Sequence, residues 1–101
     1  MASRSSIISV TISGSAVVRS TPATYYGITV RETGGVAVAK VRVWDNASAA
    51  SGVLLETIGL PAGGSASFQY AAEDASGGLR AANGVYVEVV SGAVEGSVRV
   101  S

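Results

Sequence analysis

Apolar and polar residues alternate along most of this chain in short runs, and the runs are separated by small turn-forming residues. A period of two sends successive side chains to opposite faces of a β-strand. The pattern predicts strands over 7–12, 15–19, 25–31, 36–45, 53–60, 65–71, 84–91 and 95–100. On the expected inward faces stand Ile8, Val10 and Ile12; Tyr26, Ile28 and Val30; Leu54, Ile58 and Leu60; Ala66, Phe68 and Tyr70; Val85, Val87 and Val89; and Val98 and Val100. The breaks have chemical causes. Gly34-Gly35 and Asn83-Gly84 permit tight turns, Thr21-Pro22 favours an extended link, and 61–64 (PAGG) starts a turn with proline. No proline interrupts a predicted strand. Segment 72–83 has no strand pattern and is expected to be a long loop with room for a short turn of helix. About eight strands in one short chain predict an all-β, single-domain antiparallel β-sandwich, jelly-roll-like in plan.

One predicted strand does not fit a solvated outer face. In 36–45 (VAVAKVRVWD), Ala37, Ala39, Val41 and Val43 make an apolar side. The other side carries Val36, Val38, Lys40, Arg42 and Trp44, basic in the middle and apolar at both ends. A single outward valine needs no explanation, but tryptophan is enriched in the centres of interfaces. One reading is contact with another chain. The other is a β-bulge between Ala39 and Val41 that resets the register, or a loop folded over Trp44.

Composition sharpens the question. Charged residues are 14% of the 101, against roughly 25% in an ordinary soluble domain. Hydrophobic residues reach 48%, and mean hydropathy is +0.41. A small domain has much surface for its volume and should be more polar than average. Either Ala, Gly and Ser form much of this surface, or part of it is covered. Seven basic and seven acidic side chains cancel. No basic stripe marks a nucleic-acid site; Lys40 and Arg42 read as a solvated strand face. Without cysteine there is neither a disulfide nor a thiolate metal site. The start of the chain, MASRSSIISVTISGS, lacks the apolar run of a signal peptide, and no run approaches the ~20 residues of a membrane helix. The expectation is a soluble product used without processing, with no membrane partner.

Candidate chemistry is thin. Histidine is absent, which removes the usual general base and the commonest metal ligand. Lys40 is the only lysine that could activate a serine. The carboxylates Glu32, Asp45, Glu56, Glu73, Asp74, Glu88 and Glu95 are scattered, with no pair marked for glycoside chemistry. Asp45-Asn46 with Ser48, or Glu73-Asp74, offer oxygen ligands without a calcium-loop spacing. Asn46-Ala47-Ser48 matches a glycosylation sequon, read as coincidence without a secretion signal. Tyr25, Tyr26 and Trp44 could form a sugar-stacking platform. The expectation is a non-enzyme without cofactor or metal.

The runs YYGITVRETGG, VAKVRVWDNASAASGVLLETIGLPAGGSASF and ANGVYVEVVSGAVEGSVRV resemble small β-sandwich proteins encoded among the structural genes of tailed bacteriophages. The resemblance covers about 25–100 and carries no catalytic signature. It implies a head decoration (cementing) or other minor virion protein, made in the host cytoplasm and bound to the outside of a capsid. The major capsid protein would be its partner, often with the decoration protein as a homo-oligomer, a trimer above all. Residues 1–6 would then be an N-terminal arm and 7–101 the sandwich domain. The expected contact residues are Ile7 and Ile8 beside the arm, and Val36, Val38 and Trp44 on the outward face. A tail- or fibre-associated glycan-binding module is the alternative.

Overall fold

The computed structural model describes residues 7–69 and 78–101, and every structural statement below concerns those residues. The short alternating runs form nine strands: β1 (Ile8–Ile12), β2 (Ala16–Arg19), β3 (Ala23–Glu32), β4 (Ala39–Asp45), β5 (Val53–Leu60), β6 (Ser65–Gln69), β7 (Leu79–Ala81), β8 (Val85–Ser91) and β9 (Val94–Val100). All pairings are antiparallel. One sheet runs β1-β9-β3-β6, and the other β2-β8-β4-β5. β6 pairs with Gly27–Arg31 of β3 and β7 with Ala23–Tyr25, so the two share one edge of β3. Taken as one interrupted strand, they give eight strands in which the first pairs with the last, β2 with β8, β3 with β6 and β7, and β4 with β5. That is a long antiparallel hairpin rolled into two facing sheets, the jelly-roll topology.

The core fills the space between the sheets with Ile12, Ile28, Val30, Val41, Val43, Ile58, Leu60, Val85, Val87, Val98 and Val100, as the alternation predicts. Ile8 and Phe68, also expected inward, are 45% and 41% exposed on the strands β1 and β6 that end their sheet. Three further differences come from bulges and turns, which periodicity cannot show. In β3, Tyr25 pairs with Val100 and Gly27 with Arg99, leaving Tyr26 as an extra residue. The bulge switches faces, so Tyr25 enters the core and Tyr26 is buried outside the core cluster. Gly27 makes the bulge possible: its φ is +146°, and a Cβ there would stand 2.0 Å from the Phe68 carbonyl oxygen. In β5, Glu56 pairs with Val43 and Leu54 with Trp44. Leu55 is therefore the extra residue and packs against the core, while Leu54 faces out.

The third difference concerns 36–45. The strand starts at Ala39, so Ala39, Val41 and Val43 are core but 33–38 is a loop. The backbone amides of Gly34 and Gly35 turn back onto the Glu32 carboxylate, which ends β3 before the valines. Segment 78–83 is also not all loop, since Leu79–Ala81 form β7 with Ala81 fully buried. Three residues are too few to display a period. The predicted arm at 1–6, Tyr70, and the acidic pair Glu73-Asp74 lie outside the described residues.

Candidate functional site

The two outer faces of the sandwich differ in chemistry. On the β1-β9-β3-β6 sheet, Thr11, Ser97, Thr29 and Ser67 fall in one cross-strand row. Arg31 and Glu95 pair beside it at 3.0 Å, both well exposed. The Arg99 guanidinium donates to Thr29 Oγ1 at 3.3 Å and to the Phe68 carbonyl at 3.2 Å. This face is hydroxyl-rich and largely satisfied by its own members.

The β2-β8-β4-β5 sheet is different. Val17 pairs with Tyr86, Tyr86 with Trp44, and Trp44 with Leu54. Directly opposed residues in an antiparallel sheet point to the same side, about 5 Å apart. The four therefore form one apolar row across the full width of the sheet, on its outer face. Val17 and Leu54 at the ends are 45% and 43% exposed; Trp44 and Tyr86 between them are half-buried. The indole N–H of Trp44 donates to Glu88 Oε1 at 3.1 Å, which fixes the ring against the next row. That row is polar: Glu88, Arg42 and Thr57. A band of apolar surface thus lies beside a band of charge on one face.

The five contact residues expected from sequence fall in three places. Trp44 sits in the apolar row. Val36 and Val38 project from the β3–β4 loop, 90% and 62% exposed. Val38 borders a shallow depression of about 260 Å³ with Ala39, Lys40, Gly59, Leu60 and Pro61. Val38 lies six residue steps before Trp44 along the line of β4, about 20 Å away. Ile8 opens the edge strand β1 of the other sheet and Ile7 precedes it; both are exposed. Sequence reasoning missed Val17, Leu54 and Tyr86. The signal that finds them is cross-strand register, which depends on which strands pair and where they bulge.

The charged and aromatic candidates are mostly engaged in holding the fold. Tyr25 is fully buried, with its hydroxyl donating to Glu56 Oε1 across the two sheets. Tyr26 is buried as well, so neither tyrosine can stack on a sugar. Asn46 Oδ1 accepts the amides of Ser48 and Ala49, both at 2.9 Å, and its Nδ2 donates to Ser51; the residue organises its own loop. Asp45 Oδ1 accepts the Asn83 amide at 2.8 Å. No group of three or more metal-ligating side chains occurs among the described residues.

Glu32 is the most constrained acid. It is 3% exposed at the end of β3. Its Oε1 accepts the amides of Gly35 at 2.7 Å and Gly63 at 2.8 Å, and its Oε2 accepts that of Gly34 at 2.7 Å. The Gly63 and Gly35 amides, and more weakly that of Gly34, hold its pKa below the usual carboxylate value against the opposing effect of burial. Compared with known protein families, characterised proteins and solved structures, the chain has no match among them.

Proposed function

We propose that this chain is a non-enzymatic structural protein that docks on the outer surface of a tailed-phage capsid and stabilises the shell. The observation that carries the docking part is the Val17–Tyr86–Trp44–Leu54 row on one face, set against a hydroxyl-rich opposite face. Two aromatic rings at the centre of such a row, flanked by charge, have the composition of an interface core with a polar rim. The capsid as partner rests on the resemblance of the strand and turn sequences, since a jelly roll by itself hosts many functions. A shell repeats one site many times, so shallow contacts gain strength when the protein binds as a small symmetric oligomer, here a trimer. The test is co-sedimentation from the native source, with mass spectrometry of the pellet. A high, fixed copy number per major capsid protein supports the reading; absence from virion-sized particles removes it.

A second reading has one observation in its favour. Trp44 and Tyr86 are cross-strand neighbours with Glu88 and Arg42 alongside, which gives flat apolar rings beside hydrogen-bonding groups. A sugar ring could stack there, as a module on a tail or fibre would require. Titrating a broad panel of soluble glycans against tryptophan fluorescence decides it, because Trp44 is the only tryptophan. No shift with any glycan eliminates this alternative.

A further inference from the structure

We propose that Glu32 is an acid-labile latch: its ionised carboxylate ties two loops together at one end of the sandwich, and its protonation frees the loop that carries Val36 and Val38 while the sheets stay paired. The geometry is specific. One carboxylate accepts three backbone amides, two from the β3–β4 loop (Gly34, Gly35) and one from the β5–β6 turn (Gly63). The loop contributes no side chain to the core cluster; Val36 and Val38 point into solvent. Its hold on the domain is therefore polar, and most of it passes through Glu32. Two backbone bonds support the same corner, from the Glu32 amide to the Gly64 carbonyl at 2.8 Å and from the Thr33 amide to the Ala93 carbonyl at 2.9 Å. Both lie at the root of the loop and do not depend on ionisation.

Protonation reverses the chemistry at the carboxyl. An ionised carboxylate is acceptor only, with two oxygens facing three N–H donors. A carboxylic acid turns one oxygen into an O–H donor aimed at donors, so at least one amide loses its acceptor in a site nearly closed to water. Nothing nearby substitutes for the lost charge. Residues 33–38 and 61–64 contain no ionisable side chain, and Val94, paired with Glu32 on β9, is apolar. Arg31 and Glu95 pair with each other on the outer face, and Lys40 on β4 is exposed. The core cluster at this end of the sandwich is aliphatic; Glu56, the carboxylate that also turns inward, pairs with Val43 next to Trp44 at the far end of β5 and accepts from Tyr25 there.

Amide NMR on the whole chain between pH 7 and pH 2.5 tests this. The Gly34, Gly35 and Gly63 amide signals are expected to move together, with one midpoint below the ordinary glutamate value of about 4.3. Methyl signals of Ile28 and Val98 should keep their folded positions through that transition. The Asn83 amide, held by Asp45 at the opposite end, serves as a reference outside the latch. In Glu32→Gln at pH 7, hydrogen exchange at the three glycine amides should be about tenfold faster than in the parent, with core amides unchanged. The proposal is overturned if the three glycines titrate separately, if they move only together with Asn83 and the core methyls, or if Glu32→Gln leaves their exchange unchanged. Should that variant not fold, the titration of the unmodified chain decides alone.

Discussion

Replacing Trp44 by alanine separates an interface residue from a core residue. Three contacts would be lost: cross-strand neighbours Tyr86 and Leu54, and the bond to Glu88. Each cross-strand pair is worth about 0.2–1 kcal/mol. The indole–carboxylate bond, half open to water, adds about 0.5–1.5 kcal/mol. Together they predict a loss of about 1–3 kcal/mol. An aromatic truncated inside a close-packed core loses about 3–5 kcal/mol. A domain of this length has about 5–15 kcal/mol to lose, so Trp44→Ala should remain folded. Urea denaturation followed by far-ultraviolet circular dichroism reads the difference. With a slope of about 1–2 kcal/mol per molar, the midpoint should drop by about 0.5–3 M with the slope unchanged. In the same variant, binding to particles should weaken by about 30-fold or more, the effect of losing about 2 kcal/mol at an interface centre. Thr29→Ala, on the opposite hydroxyl-rich face, should bind normally. A stability loss above about 4 kcal/mol would refute the argument, because Trp44 would then belong to the core. So would normal particle binding by the folded variant.

Other expectations follow from single contacts. Gly27→Ala should cost at least about 2 kcal/mol in thermal melts, because its Cβ would stand 2.0 Å from a backbone oxygen at a φ that side chains avoid; an unchanged melt would mean that the bulge can relax. Tyr25→Phe should cost about 1–3 kcal/mol by removing a buried donor to Glu56. A double-mutant cycle with Glu56→Gln should show coupling of at least about 0.5 kcal/mol; strict additivity would show that the bond adds nothing. Because the folded pKa of Glu32 is depressed, its contribution to stability is present above about pH 4.3 and is lost as pH falls through the lower folded value. Urea midpoints measured at successive pH values should decline over that window, and more steeply than those of Glu32→Gln.

The fold was legible because β-strands have a short, strict period. Ile28, Val30, Val41, Val43, Val85, Val87, Val98 and Val100 are core from alternation alone, and all are buried. Alternation fails where one residue is inserted, and two insertions misplaced neighbours. Tyr26 was assigned the place Tyr25 occupies, and Leu54 that of Leu55. A bulge reads in sequence as ordinary strand, and only Gly27 marks the first one. The strand at 36–45 failed for another reason. Val36, Ala37 and Val38 continue the pattern perfectly, but Glu32 recruits the glycine amides first and the chain turns into a loop. A side chain that accepts backbone hydrogen bonds competes with the ladder, and no propensity records that competition.

The apolar row has the same origin as those errors. Trp44 was singled out because it broke the expected polarity of its own strand. Val17, Tyr86 and Leu54 each looked like an ordinary residue of a different strand. They meet only because the rolled hairpin puts β2 beside β8 and β8 beside β4, and because the bulge at Leu55 turns Leu54 outward against Trp44. In a strand of the same sequence without the bulge, Leu55 would oppose Trp44 and point outward. Leu54 would occupy the inward position, and the fourth member of the row would still be a leucine. The bulge therefore leaves the apolar character of the row unchanged. What it alters lies on the other face of β5, where Leu55 joins Glu56 in turning inward; Glu56 faces inward by alternation with Ile58 and Leu60, and its carboxylate accepts from Tyr25. Tyr25 in turn is inward because of the bulge at Tyr26. One insertion, at Tyr26, thus sets up one hydrogen bond through the core. Deleting Leu55 leaves Glu56 opposite Val43 and Leu54 opposite Trp44, so it should preserve that bond and the apolar row while removing the Leu55 contact with the core. The deletion variant should melt lower yet, if folded, bind particles as the parent does; weaker binding would show that the row depends on the bulge and not on its composition alone.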